Sequence, residues 1–286
     1  MIASAIFPRE RVTVVGVLNA TPDSFSDGGR LIDAAGAVDV DVAVAVAARM
    51  IEAGAQMIDV GGESTRPGAM ETPLAIEIDR TAPVVEALAK RFAVDISIDT
   101  RKAAVAEAAL DVGARVVNDI SGLGFDAALA GITAAAEASL IVGHLRGTPE
   151  TMQQNPHFDD VLAEVAMELG VSLAAARAAG IPDERLAVDP GIGFGKRLED
   201  NLTLLANAGS LGKTLGLPVL VGPSRKRFLG SLTGDPVECR DAATAAACAV
   251  AIFAGADAVR VHDVAGAVRA AAVASALRDA RQESIA

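Results

Sequence analysis

The chain of 286 residues is long enough for one large α/β domain or two small ones. Hydrophobic residues make up 51% of it and Trp and Tyr are absent, so Val, Ile, Leu and Ala must fill the core. The formal charge of −12 argues against nucleic acid or an anionic membrane surface as a partner. The longest uncharged stretch, residues 242–256, is shorter than the roughly 20 residues that span a bilayer.

The beginning of the chain and its cysteines predict a location. Residues 1–13 lack a positively charged region followed by a long apolar segment, so no signal peptide is indicated. Cys239 and Cys248 lie nine apart in a predicted helical stretch, a spacing unsuited to a disulfide. We therefore expect a protein of the reducing cytoplasm.

Short apolar runs alternate along the chain with segments of helical periodicity. The predicted strands are residues 12–18, 56–60, 94–98, 115–117, 139–142, 185–188, 217–221 and 256–259. The predicted helices are residues 37–53, 73–91, 102–112, 126–138, 159–179, 199–215, 241–254 and 265–281. This alternation favours one α/β domain, a single (β/α)8 TIM barrel over residues 1–286, rather than an open doubly wound sheet. Residues 1–11 are expected to form an N-terminal arm.

The loop after the first predicted strand, residues 19–29, is rich in hydroxyl and carboxylate oxygens. It begins at Asn19 and carries one aromatic residue, Phe25, and an acidic residue, Asp27. Taken alone, this composition fits a mobile flap over a polar ligand or an ordinary surface loop equally well.

Polar residues recur where the predicted strands end, and in such barrels the carboxyl ends of the strands form the active site. Asp99, Asn118 and Asp189 offer acceptors and an amide that match the donor edge of a flat, nitrogen-rich heterocycle, which would offset the cost of burying the carboxylates. Asp59 is interpreted as structural, bonding backbone amides or pairing with Arg66.

A second group of strand-end residues is cationic although the protein is acidic overall. Convergent cations at the later strands of a barrel are typical of a phosphate site. They are Arg66, Lys226, Arg260 and His262. The three histidines are far apart and no cysteine joins them, which argues against zinc, whereas Mg²⁺ held by few protein ligands and by ligand phosphates remains open.

Eight short segments follow one another within residues 14–263: GVLNATPDSFSDGG, DVGGESTRPGA, SIDT, VNDISG, RGTPETMQ, LAVDPGIGFGK, GPSRKRF and VRVHD. In this order they resemble the signature segments of the dihydropteroate synthase family. The resemblance implies a transferase of folate biosynthesis that joins 6-hydroxymethyl-7,8-dihydropterin pyrophosphate to p-aminobenzoate and releases pyrophosphate. It also implies sulfonamides as inhibitors and a homodimer formed by helices near the C-terminus.

The resemblance implies a role for each matching residue. Asn19 would contact Mg²⁺. The pyrophosphate would be held by Thr65, Arg66, Arg260 and His262. The pterin would be bound by Asp99, Asn118, Asp189 and Lys226. The p-aminobenzoate pocket would be formed by Phe25, Asp27, Pro67 and Arg227. The implied catalytic residues are Asp27, Asp99 and Lys226.

Three positions depart from the family pattern. Gly143 stands where Met is common, Pro223 where a small residue is usual, and Arg227 where many members have Ser. We expect looser packing at Gly143 and altered affinity rather than lost activity. The alternatives are a non-catalytic pterin-binding paralogue, a methyltetrahydrofolate-binding methyltransferase domain, and a phosphate-binding barrel isomerase, for which no acid/base pair is marked.

Overall fold

The computed structural model describes residues 6–8, 11–21, 31 and 38–283, and within them eight parallel strands form a closed barrel. The strands are β1 (Thr13–Asn19), β2 (Met57–Gly61), β3 (Asp95–Asp99), β4 (Val116–Asp119), β5 (Ser139–Gly143), β6 (Leu186–Asp189), β7 (Leu220–Val221) and β8 (Ala258–Val261). They pair in the order β6-β5-β4-β3-β2-β1-β8-β7, and a parallel bridge between Val188 and Val219 joins the two ends. The predicted TIM barrel is confirmed, while the extent of the domain over residues 1–286 stays a prediction.

Helices surround the barrel. In the described ranges they are α1 (Val40–Glu52), α2 (Leu74–Arg91), α3 (Ala103–Asp111), α4 (Leu129–Ala135), α5 (Val161–Ala178), α6 (Leu198–Ala206), α7 (Ala208–Leu215), α8 (Arg227–Thr233), α9 (Asp241–Phe253) and α10 (Val264–Glu283). None of these described helices has the length and apolar character needed to cross a membrane.

Two helical predictions were wrong in detail. The predicted helix 199–215 is interrupted at Asn207, whose amide donates to Thr203 O at 2.8 Å. Two residues beyond the break, Gly209 packs so closely against the backbone at Ala254 that a Cβ on Gly209 would lie 2.4 Å from Ala254 O.

The short helix α8 occupies residues predicted as loop. Cys239 lies in a 3₁₀ turn, Val237–Cys239, before α9 rather than on the helix with Cys248, and both are free thiols.

The amino-terminal half of the barrel interior is apolar. Side chains of successive strands alternate between the interior and the helix layer, and the interior layer includes Val15, Met57 and Ile141. Ile6 and Phe7 complete this layer, with Phe7 only 1% exposed. Ile6 N donates to Glu184 O at 3.1 Å, just before β6. Part of the predicted N-terminal arm therefore closes the bottom of the barrel.

The carboxyl-terminal half of the interior is polar because of the strand register. Asp59 lies opposite Ser97 on the neighbouring strand, and Asp99 lies opposite both Gly61 and Asn118. Since residues two apart on a strand face the same side, Asp59 with Ser97 and Asp99 with Asn118 form two successive polar levels of the barrel interior. These levels form the floor of the site described next.

Candidate active site

A cavity of about 920 Å³ opens at the carboxyl ends of the strands. Nine of the residues predicted for the site line its wall. They are Asn19, Thr65, Arg66, Pro67, Asp99, Lys226, Arg227, Arg260 and His262. Asn118 and Asp189 are buried close by, at 4% and 8% exposure, but do not form part of the described wall. Phe25 and Asp27 lie outside the described residues.

A buried ion-pair network joins four strands on the floor of the cavity. Arg260 of β8 donates from Nε to Asp59 Oδ2 at 2.5 Å and from Nη2 to Asp99 Oδ2 at 2.6 Å. Asp59, which is fully buried, also accepts from Asn118 Nδ2 at 3.0 Å and from the Ser97 hydroxyl. The structural interpretation of Asp59 stands, but the expected partners were wrong, because Arg260 takes the place assigned to Arg66 or to backbone amides.

Burial and charge act against each other in this network. Burial raises the pKa of the Asp99 carboxyl to about 7, while the opposite charge of Arg260 counteracts the rise. Burial disfavours the charged Arg260, but Asp59 and Asp99 outweigh this effect and raise the pKa of the guanidinium. Arg260 therefore stays charged at pH 7, and its two pairs fix the floor of the site.

Lys226 crosses the cavity from the loop after β7 to the loop after β6. Its Nζ donates to Ile192 O and lies 4.0 Å from the centre of the Phe194 ring. Burial lowers the pKa of Lys226 to about 8, opposed by the charge of Asp189. Asp189 accepts from Gly191 N at 2.7 Å, and burial raises its pKa. A cation and an aromatic face from two loops are thus brought near a carboxylate at the end of β6.

Ser224 fixes the orientation of His262, a contact that the sequence did not reveal. His262 N donates to Ser224 Oγ at 3.1 Å, and Ser224 Oγ lies 2.8 Å from His262 Nδ1. We assign the serine proton to the bond with Nδ1, which leaves Nε2 protonated as a donor. Burial, followed by the charge of Arg225, lowers the pKa of His262 to about 3, so the ring is neutral at pH 7.

A second buried ionic cluster anchors the loop after β2, which carries Thr65 and Arg66. Lys102 Nζ contacts Glu63 Oε1 at 3.0 Å and Glu77 Oε2 at 2.7 Å, and Arg101 Nε contacts Glu63 Oε2 at 3.0 Å. This cluster was missed because its members were taken as loop or helix charges. The sequence did indicate such a cluster, because two cations, Arg101 and Lys102, follow the strand that ends at Asp99 after one intervening residue.

A further chain of polar groups runs from the cavity wall towards the surface. Lys196 Nζ donates to His144 Nδ1 at 3.0 Å, and His144 Nε2 donates to Glu168 Oε2 at 2.9 Å. An ammonium can only donate, so Nδ1 is the acceptor and Nε2 carries the ring proton. Burial lowers the pKa of Lys196 to about 7. The strand-end motif ending in Lys196 was noted in the sequence, but not its bond to His144.

The expectation of loose packing at Gly143 was wrong. A Cβ at this position would lie 2.6 Å from Ile120 Cα and 2.7 Å from Asp119 O, so the backbone at the end of the neighbouring strand β4 fills the space. Glycine here allows β5 to approach the β4 turn closely. Arg227, the other departure on the wall, is exposed at the start of α8.

The comparisons with known proteins agree with this geometry. The family model described as pterin binding enzyme matches residues 15–262, which places the chain in the class of pterin-binding barrels. Dihydropteroate synthase of Escherichia coli K12 is 47% identical over 84% of this chain and 82% of its own length. The Yersinia pestis dihydropteroate synthase in a sulfonamide drug complex superposes with a TM-score of 0.90 at 40% identity, covering 98% of this chain and 100% of that one.

A third relative has a structure with a small aromatic acid. Xanthomonas albilineans dihydropteroate synthase with 4-aminobenzoic acid gives a TM-score of 0.84 at 42% identity, covering 94% of each chain. The chain belongs to the dihydropteroate synthase family, as its eight sequence segments predicted.

The first prediction concerns the buried network. Asp59→Asn preserves the shape of the side chain but leaves Arg260 with one carboxylate. We expect the free energy of unfolding to fall by about 3 kcal/mol, the lower end of the cost of breaking a buried pair, because Asp99 still faces the guanidinium. Urea unfolding at pH 7 measures the change.

The control is an exposed ion pair. Lys90 and Glu86 lie 2.5 Å apart with side chains 70% and 49% exposed, so Glu86→Gln should leave the unfolding midpoint unchanged within error. Equal midpoints for the two variants would show that the buried network does not stabilise the fold.

The second prediction concerns pH. Burial, followed by the charge of Lys196, lowers the pKa of His144 to about 4, with Glu168 opposing. Between pH 6.5 and 4 the unfolded chain binds a proton at this histidine and the native protein does not. The free energy of unfolding should therefore fall as the pH falls, by up to about 1.4 kcal/mol per pH unit from this group.

The measurement is urea unfolding at several pH values from 6.5 to 4.5. His144→Gln retains an acceptor for Lys196 and a donor for Glu168 but does not titrate, so the pH dependence of its stability should be shallower than that of the wild type. His157→Gln, at a histidine whose side chain is 69% exposed, is the control and should keep the wild-type slope. A wild-type slope in His144→Gln contradicts the prediction.

Proposed function

We propose that this protein condenses 6-hydroxymethyl-7,8-dihydropterin pyrophosphate with p-aminobenzoate to form 7,8-dihydropteroate and pyrophosphate. The observation that carries the proposal is one cavity in which a buried carboxylate and amide floor faces a cationic wall. A flat heterocycle with N–H donors suits the floor, and a polyanionic leaving group suits the wall.

The pterin would lie on the polar floor. Asp99, Asn118 and Asp189 supply acceptors and an amide at the ends of three adjacent or nearly adjacent strands. Strands hold these groups rigidly, which favours recognition of one heterocycle edge. Lys226, held over Phe194, would also contact the pterin ring.

The pyrophosphate would lie against the cationic wall. Thr65 and Arg66 come from the anchored loop after β2, and His262 presents a neutral Nε2–H donor. Arg260 uses Nε and Nη2 for its two carboxylates, which leaves the donors of Nη1 for an anion. These donors would stabilise the charge that develops on the leaving group.

The same wall suits Mg²⁺ bound largely by substrate oxygens. The described residues contain no group of three or more His, Cys, Asp or Glu that could hold a metal ion, and Mg²⁺ commonly takes one or two protein ligands together with substrate phosphates. Asn19, at the end of β1 on the cavity wall, fits a single protein ligand. The ion would neutralise part of the pyrophosphate charge.

The reaction needs no nucleophilic side chain. The C–O bond to pyrophosphate breaks with its electron pair leaving on oxygen, and the positive charge on the pterin methylene faces the Asp99 carboxylate. The arylamine nitrogen then forms the C–N bond and loses a proton. Pro67 and Arg227, on the wall, would contact p-aminobenzoate with Phe25 and Asp27, for which we propose the roles that the family resemblance implies.

Pyrophosphate release by the purified protein is the third prediction. Given dihydropterin pyrophosphate and Mg²⁺, release should depend on p-aminobenzoate, fall on addition of EDTA and be inhibited by a sulfonamide that competes with p-aminobenzoate. Lys226→Ala should lower kcat/KM by about 10²–10³-fold, the typical cost of removing one preorganised charged donor.

Lys213→Ala, at an exposed lysine near the end of α7, is the matched control and should retain wild-type turnover. Pterin binding without turnover in the wild type would instead support the non-catalytic paralogue. Turnover that persists in EDTA would contradict only the role of Mg²⁺ and not the proposed reaction.

We also propose that the protein is a cytoplasmic homodimer joined through α9 and α10. These helices pack on each other and expose apolar side chains, with Val250 54%, Val273 61% and Leu277 58% exposed. An α9 packed wholly within its own barrel wall would bury Val250. Exposed apolar residues on two neighbouring helices favour a subunit interface.

Light scattering at micromolar concentration is the fourth prediction and should give twice the chain mass of 28.9 kDa. The double variant Val250→Glu, Leu277→Glu should give the monomer mass. Val171→Glu, at an equally apolar residue of α5 that is 70% exposed, should remain dimeric. A wild type at 28.9 kDa refutes the dimer.

A further inference from the structure

Arg225 holds a backbone conformation that its side chain disfavours. Its φ is +55°, and of the four described non-glycine residues with positive φ it alone lines the cavity. Lys226 N donates to Pro223 O at 3.2 Å, which closes a four-residue turn with Arg225 in the third position. A positive φ at that position is ordinarily supplied by Gly or Asn. An arginine there must be held by its surroundings.

The start of α9 supplies that hold on three sides of Arg225. The Arg225 guanidinium donates to both carboxylate oxygens of Asp241, Nε to Oδ1 at 2.7 Å and Nη2 to Oδ2 at 2.8 Å. Arg225 N donates to Thr244 Oγ1 at 3.0 Å, and Arg240 Nη1 donates to Arg225 O at 3.1 Å. Thr244 is 2% exposed, so its hydroxyl is a fixed partner. We call Arg240, Asp241 and Thr244 the α9 clamp.

Arg240 is itself fixed. Its Nε donates to Asp235 O at 3.0 Å. Its guanidinium covers Gly230, where a Cβ would lie 2.2 Å from Nη2. The clamp therefore connects the loop after β7 to both α8 and α9, through side chains that are buried or partly buried.

The clamped residue stands between two groups of the site. Ser224, directly before it, fixes His262 through the bond of 2.8 Å to Nδ1. Lys226, directly after it, reaches across the cavity to Phe194. Rotation of the Arg225 backbone out of the left-handed region would turn both neighbours at once, because they share its two peptide planes.

We propose that Asp241, Thr244 and Arg240 are positioning residues that hold Arg225 in the left-handed conformation. They thereby aim Lys226 at the substrate and keep Ser224 in place to orient His262. The inference rests on the proposed function, since it concerns the geometry of that reaction. None of the three needs to touch the substrate. Their contribution is the rigidity of one turn in the cavity wall.

A double-mutant cycle with Arg225→Gly and Asp241→Ala tests the proposal. Asp241→Ala should lower kcat/KM about tenfold, because the ion pair no longer offsets the unfavourable backbone conformation. Arg225→Gly removes the same ion pair but adopts positive φ without steric cost, so its loss should stay within about threefold. In the Arg225→Gly background, Asp241→Ala should cause no further loss.

The ¹⁵N chemical shifts of His262 give a readout that a general loss of stability would not move. In the wild type they should report a proton on Nε2, and Asp241→Ala should shift them towards a mixture of tautomers. Asp183→Ala, which removes an exposed Arg–Asp pair of 2.6 Å at Arg177, is the control and should change neither readout.

Two results would overturn the proposal. One is a tenfold loss of kcat/KM from Asp241→Ala that recurs in the Arg225→Gly background. The other is wild-type activity together with wild-type His262 shifts in Asp241→Ala. If the wild type shows no turnover, the proposed function fails. The His262 shifts, recorded with inorganic pyrophosphate, then test the clamp separately.

Discussion

The site depends on one arginine held between two carboxylates inside a barrel. Removing Arg260, Asp59 and Asp99 from water costs free energy that their mutual attraction recovers only with good geometry and further hydrogen bonds. The structure provides both, because Ser97 donates to Asp59 Oδ1 and Asn118 donates to Oδ2, the oxygen that Arg260 also contacts. Four strands thus meet in one polar network, and the floor of the cavity is built on strands held by their hydrogen-bond ladders.

Strands and loops contribute differently to the site. The polar floor comes from strand ends whose positions follow from the register of the barrel. The cationic wall combines Arg260 of β8 with residues of the loops. The loop after β2 is fixed by the buried cluster around Glu63 and Lys102, and the loop after β7 by the partly buried pair of Arg225 and Asp241. Such clusters give irregular segments the precision that a strand has from its hydrogen-bond ladder.

Sequence periodicity was sufficient to predict the barrel, and the strand ends indicated its buried acidic residues and its cations, because both are local signals. The roles of Thr65 and Pro67 came only from the family resemblance. Pairing between distant residues was not predictable. Asp59 and Arg260 are separated by 201 positions, and nothing near either one indicates the other. Likewise, the break at Asn207 depends on the close approach of Gly209 to the chain near Ala254, which helical propensity does not report.

Ile6 and Phe7 close the bottom of the barrel. Because Phe7 packs among the first residues of the strands, it lies at the face opposite the cavity. An affinity handle or surface tether attached there leaves the mouth open to diffusing molecules. Attachment through this face would orient immobilised copies uniformly, with their mouths towards the solution.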